Sequence, residues 1–544
     1  MRRSSIVALA LALLPALAAA QHDHGAPRLG TVSFPNSGVR AAQTPFLRGV
    51  ALLHSFEYED AAAAFREAER ADPGLAIAYW LESLTYSPIL WREDDPDAGR
   101  RAVARLAPTP AARLAKAGTA RERAYGAAVE AFLADTTPAA RVVAFADSMR
   151  AVAERYPDDL EASAFASIGA MMAQQAGGLP PARRREETER ATRFAERVFA
   201  ASPNHPGAAH YLIHVADMDQ SYAPRALPAA RAYDKIAPDA THALHMPSHV
   251  YLSLGMWDDL VASNERAWAS SRAWVRARGR TGADLSFHAL TWLQYGYLEQ
   301  GRWRAARALL DTTRAVLAGA DLAGAAHVDA RYAPGALAFL YAAETGRWDD
   351  VAIDGPTTAP TGPSTAAGRE AGFLAASRYA HAVAGAMRGD TTAVIAVART
   401  LGGVPDSATW TTRSPLAMLN ALTLDALAAR GRGDSALALA RLRAAAAFED
   451  RVPVIGPPSY VSAHELLGGA LLASNDPRGA AVEYERSLAH QPNRSLALLG
   501  LARARAASGD RAGAADAYRK LLANWVRADA DLPALAEVRA GARD

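Results

Sequence analysis

The chain has 544 residues, half of them hydrophobic, only 7% aromatic, and none of them cysteine. Its 59 basic and 57 acidic residues leave a net charge of +2, a balance that points away from nucleic acid and from acidic surfaces as partners. The missing cysteines exclude disulfides, thiolate metal sites, cysteine nucleophiles and a lipid anchor on a terminal cysteine.

The first twenty residues read as a cleavable secretory signal. Arg2 and Arg3 are followed by an apolar run from Ile6 to Leu17, and Ala18, Ala19 and Ala20 fit an A-x-A cleavage site. The run is too short for a stable membrane anchor, and no later stretch reaches spanning length. The expected location is the periplasm or the medium. Residues 21–41 are rich in Pro and Gly and are expected to form a disordered leader.

Helical repeats begin near Phe46. Alanine-rich, low-aromatic composition favours helices that pack closely through small side chains. Tyr58, Ala61, Phe65, Ala68 and Pro73 have the spacing of a helix hairpin in which small residues let two helices approach and a proline stops the second. Pro157, Pro203 and Pro238 recur at the same point. Gly255-Met256-Trp257, Gly301-Arg302-Trp303 and Gly346-Arg347-Trp348 read as turns between paired helices. A Pro/Gly/Thr-rich segment over 355–370 cannot continue a helix and is expected to link an N-terminal array (42–354) to a C-terminal one (371–544). The blocks H-S-F-E-Y-E-D-A, A-I-A-Y-W, H-P-G-A-A-H-Y-L-I-H, H-A-L-H-M-P-S-H and A-H-E-L-L-G, with the repeat register, resemble exported bacterial tetratricopeptide-repeat (TPR) proteins of unassigned activity. The resemblance implies an all-α, right-handed superhelical α-solenoid of antiparallel hairpins whose concave groove binds a protein or peptide segment.

Six of the fourteen histidines fall between His205 and His249. His210 and His214 are four residues apart, as are His245 and His249, and the two pairs are offset by 35 residues, close to the TPR period of 34. In repeat register both pairs take the same groove-facing positions of consecutive first helices. His242 and His288 form a second row, and Tyr295, Met218 and His54 also face the groove. Residues four apart share a helix face, about 5–6 Å apart, so His210, His214, His245 and His249 are expected to converge on a metal. Asp217 is either a further ligand or an outer acceptor that orients an imidazole. Imidazole and carboxylate suit Zn, Cu, Fe or Ni alike. Pro247 either kinks the helix that carries these residues or starts it.

The leading expectation is therefore an exported binding or scaffold protein with a metal-binding histidine centre in its groove. A metal-free peptide adaptor is one alternative, and a metalloenzyme (oxidoreductase or hydrolase) using the same cluster is the other; no catalytic residues are assigned.

Overall fold

A computed structural model of the protein describes residues 27–358, 367–390 and 414–543, together with Val394 and Val397. The signal segment and the middle of the linker (359–366) lie outside the described residues. Among the described residues there is no strand, and no helix is long and apolar enough to cross a membrane.

The helices are α1 (Arg40–His54), α2 (Tyr58–Ala71), α3 (Ala76–Leu84), α4 (Pro96–Ala104), α5 (Pro110–Leu114), α6 (Ala120–Phe132), α7 (Pro138–Arg155), α8 (Leu160–Ala176) and α9 (Pro181–Ala201). Then come α10 (Pro206–Met218), α11 (Ala223–Ile236), α12 (Thr241–His245), α13 (Pro247–Ser253), α14 (Trp257–Ala277), α15 (Phe287–Glu299), α16 (Trp303–Leu317), α17 (Val328–Thr345) and α18 (Ala367–Met387). The C-terminal set is α19 (Pro415–Gly431), α20 (Ser435–Glu449), α21 (Ala463–Ala473), α22 (Pro477–His490), α23 (Ser495–Ala507), α24 (Arg511–Asn524) and α25 (Leu535–Gly541). Neighbours pair as antiparallel hairpins: α1 with α2, α7 with α8, α10 with α11, α12–α13 with α14 and α19 with α20. The architecture is an all-α superhelical solenoid of the TPR type.

Local sequence sets the helix ends. Thr137, Ser414 and Asp476 cap the amides of the first turn, and each is followed by a proline whose missing N–H costs nothing there. The α10 cap is unusual: His205 Nδ1 accepts the Ala208 amide at 3.1 Å. Close packing shows at Gly49, where an added Cβ would lie 2.7 Å from the Phe65 ring.

The segment before α1 is ordered from Arg28 onward, which corrects the expectation of a disordered leader for that part. Leu29 and Phe34 are buried, Thr31 N–H donates to the Asn204 carbonyl at 2.9 Å, and Arg28 pairs with Asp239 at 2.9 Å. Two apolar anchors and a run of long-range polar contacts offset the entropy of ordering a Pro/Gly-rich segment.

The solenoid curls until its parts touch. Arg278 meets Asp60 at 2.9 Å and Arg280 pairs with Glu59, joining the end of α14 to the start of α2. Farther on, the C-terminal helices dock on the α13–α14 and α15–α16 turns. Gly255 has φ +67°, and a Cβ there would lie 2.3 Å from the Pro492 carbonyl oxygen, so only glycine fits. Trp257 Nε1 donates to the Asn493 carbonyl at 2.9 Å across the same contact. Beneath it Arg494, itself buried, binds Glu299 (3.0 Å), Glu344 (3.0 Å), Glu465 (2.5 Å) and the Tyr295 hydroxyl (2.7 Å).

A candidate metal centre in the concave face

The site is built on α10, α12, α13 and α15. Pro247 removes the amide that would have continued one helix, so α12 ends at His245 and α13 begins at Pro247. Met246 between them keeps helical angles, φ −54° and ψ −35°. His249 N–H reaches the Met246 carbonyl at 3.1 Å, and Ser248 Oγ donates to the His245 carbonyl at 2.7 Å. The helix is kinked, and both histidines of the second pair stay on its inner side.

Six imidazoles meet as two triads. His210, His214 and His242 bring ligand nitrogens within 4.8 Å of one another, and His245, His249 and His288 do the same. His242 and His288 are thus the third members of two triads, where repeat register alone places them in a separate row. Ring centroids within the first triad are 4.7–6.4 Å apart. Within the second they are 4.6–5.9 Å apart.

Outer partners set the tautomers. A carbonyl or carboxylate oxygen can only accept, so a ring nitrogen facing one must carry the proton. His210 Nδ1 donates to the His54 carbonyl at 2.7 Å. His214 Nδ1 donates to Asp217 Oδ2 at 3.1 Å, and His249 Nδ1 to Asp217 Oδ1 at 2.8 Å. His245 Nδ1 donates to Asn264 Oδ1 at 2.7 Å, while the Asn264 amide is turned to the Leu260 carbonyl. In the neutral form of each of these four rings the Nε2 lone pair is left free. The Nε2 atoms of His210, His214 and His242 are buried without a hydrogen-bond partner, and those of His245 and His249 face each other at 3.0 Å. An unpaired polar atom in such a place costs free energy unless something binds it. Asp217 acts as the outer acceptor shared by both triads, since each oxygen already takes a ring N–H.

For three of the rings, electrostatics agree with the neutral form. Burial, reinforced by neighbouring rings, holds His210, His242 and His245 well below the ordinary histidine range. Burial would raise the Asp217 carboxyl, but His249 and His214 more than reverse this and hold it well below the usual carboxylate range.

Aromatic walls surround the rings. Trp292, one turn beyond His288 on α15, stacks on His249 at 4.1 Å. Phe56 lies 4.3 Å from His210 and parallel to His214 at 5.4 Å, and Trp91 lies edge-on to His242 at 5.5 Å. Phe56 holds φ at +57°, a left-handed conformation unfavourable for its side chain. Phe56 and Tyr58 also line a small apolar hollow of about 40 Å³, whose other walls include Phe145, Phe165, Ile168 and Tyr211.

The remaining expected groove residues lie elsewhere. His54 is fully buried: its Nε2 donates to Glu161 at 2.8 Å and its Nδ1 accepts the Tyr211 hydroxyl at 2.8 Å. His205 Nε2 donates to the other Glu161 oxygen at 3.3 Å. Every ring nitrogen of this His54–Glu161–His205 group is partnered, so it staples α1, α8 and α10. Tyr295 is buried against Arg494 because the C-terminal helices cover that end of α15. Met218 sits at the edge of a surface cleft lined by arginines of α9. Trp292, Asn264 and Phe56 are participants that periodicity alone does not mark. The i, i+4 spacing of His288 and Trp292 is the one sequence signal for any of them.

No known protein family and no curated protein matches the chain. Solved structures align over most of its length at low similarity. The Cut9 and Hcn1 hetero-tetramer of APC/C shares 11% identity over 93% of this chain and 91% of that one, with a TM-score of 0.34. A human IFIT1 dimer with m7Gppp-AAAA shares 12% over 91% and 92%, at 0.32. Naa15/Naa10 bound to HypK-THB shares 14% over 89% and 70%, at 0.23.

Proposed function

We propose that this chain is an exported metal-binding solenoid protein, with its metal centre inside the concave face and a protein or peptide segment as partner along the surrounding groove. One observation carries the metal reading: the Nε2 atoms of His210, His214 and His242 are buried and unpartnered, and these three residues bring one ring nitrogen each within 4.8 Å of one another. Neutral imidazoles with outer N–H groups held by oxygen acceptors are the state in which histidine binds a transition metal. The test is elemental analysis of purified protein after exposure to Zn, Cu, Fe and Ni salts. Stoichiometric metal is expected, and it should be lost in the double variant His210→Ala, His245→Ala. A wild-type chain that retains no metal overturns the reading.

The apolar hollow favours a second reading, a metalloenzyme. It shares Phe56 with the histidine wall and lies where a small apolar substrate would approach the centre. Turnover of apolar probes by the metal-loaded chain, abolished by filling the hollow with Ile168→Trp, is the expected result; a loaded chain that turns over none of them removes this reading.

A further inference from the structure

The two triads face each other. His214 and His249 have ring centroids 6.2 Å apart, and His242 and His245 are 6.1 Å apart. These separations between triads are no longer than the widest one inside a triad, 6.4 Å between His214 and His242. Asp217 ties the halves together by holding one imidazole of each. A single ion would leave one triad of lone pairs unsatisfied. In the second triad, two nitrogens 3.0 Å apart, each about 2.0–2.1 Å from one ion, subtend an angle of about 95°, which suits a shared metal.

The donor set narrows the metal. All six candidate ligands are neutral nitrogens, and Asp217 is the one carboxylate bonded to these rings among the described residues. Two divalent ions side by side would concentrate four positive charges against one outer negative charge. Coulomb repulsion scales with the product of the charges, so two monovalent ions at the same distance repel a quarter as strongly. Among Zn, Fe, Ni and Cu, copper is the one with a stable monovalent state, and cuprous ion accepts three nitrogen ligands. Copper also heads the divalent affinity order. Phe56, Trp91 and Trp292 wall the rings off, while His288 is exposed and leaves a way in.

We propose that the two histidine triads form one dinuclear copper centre, with His210, His214 and His242 on one ion and His245, His249 and His288 on the other. This rests on the metal-binding reading above and adds the number of ions, their identity and their coupling.

The experiment loads the full chain with Cu(I) without oxygen, counts copper after gel filtration, and then oxidises it with ferricyanide, which takes one electron from each Cu(I). Two coppers per chain are expected. The oxidised pair, bridged by a solvent-derived hydroxide, should show little or no Cu(II) electron paramagnetic resonance signal. His288→Ala, a change at an exposed residue, should retain one copper that gives a full single-ion signal, with an unchanged circular dichroism spectrum. No retained metal of any kind overturns both this and the metal-binding reading. One copper per chain in the wild type, two coppers with full uncoupled signals, or uptake of zinc with none of copper overturns the dinuclear copper centre and leaves metal binding standing. Should His288→Ala fail to fold, zinc competition against the Cu(I)-loaded wild type decides: paired release of two coppers supports coupling, and independent release of each refutes it.

Discussion

Nε2 of His245 and Nε2 of His249 face each other at 3.0 Å, and when both rings are neutral no proton is left to place between them. His245 gives its Nδ1 proton to Asn264 and His249 gives its own to Asp217. Two lone pairs at that distance repel unless a cation or an added proton lies between them. The relationship ties metal loading to stability, because the bare cluster holds unfavourable contacts that a bound ion converts into bonds.

Metal loading should therefore stabilise the fold. A ligand at a hundred times its dissociation constant adds about 2.7 kcal/mol for each independent site that forms only in the native state. Scanning calorimetry should show a melting temperature that rises on loading and falls when a chelator is added.

Asp217 orients one imidazole in each triad, so Asp217→Ala should weaken both sites at once, each by roughly 10- to 100-fold. Competition against a chromogenic chelator checks this. A loss confined to one of the two sites would show that the carboxylate is not shared.

Glu161 holds His54 and His205 through a buried, fully partnered group. Burial alone would raise its carboxyl; His205 and His54 reverse this and hold it below the usual range. Glu161→Ala leaves buried N–H groups unpaired and should cost roughly 3–5 kcal/mol in chemical denaturation. Metal stoichiometry should not change, because this group contributes no ligand to either triad.

Phe56 closes the site from α1 and α2. Its replacement by Ala removes a buried ring and should cost roughly 3 kcal/mol. The left-handed φ of +57° remains unfavourable for Ala, so no relief offsets the loss. Urea unfolding measures the cost, and the exposed rings should take up metal faster in stopped-flow mixing.

The Arg494 cluster predicts a pH dependence at the junction with the C-terminal helices. One guanidinium faces Glu299, Glu344 and Glu465, with Tyr295 beside them. Burial outweighs the pull of Arg494 and pushes the Glu344 carboxyl up to about 7, from an ordinary 4.5. Between those values the folded chain holds a proton that the unfolded chain has released. Stability contributed by this group is therefore complete below about pH 4.5 and is lost as pH rises through 7, by on the order of 3 kcal/mol. Glu344→Gln keeps an oxygen for Arg494 and should flatten the fall in melting temperature between pH 5 and pH 8. An unchanged slope would move the effect to another group.

Periodicity made the solenoid and the paired histidines legible. Residues four apart share a helix face, and a repeat offset of 35 residues returns the chain to the same face. His210, His214, His245 and His249 could be grouped from spacing alone, because helix geometry is local and regular. Tertiary structure decided what those residues face. His54, 156 residues before His210, supplies the carbonyl that sets its tautomer. Asn264 on α14 does the same for His245, and Phe56 and Trp292 wall the rings off through packing across hairpins. Tyr295 shares the register of a groove residue, yet it is covered by Arg494 from a helix junction 199 residues away. Side-chain period within a helix follows from the backbone, whereas superhelical curl accumulates from many small packing angles between hairpins. That curl brought two rows of histidines together as two triads and closed the far end of the groove.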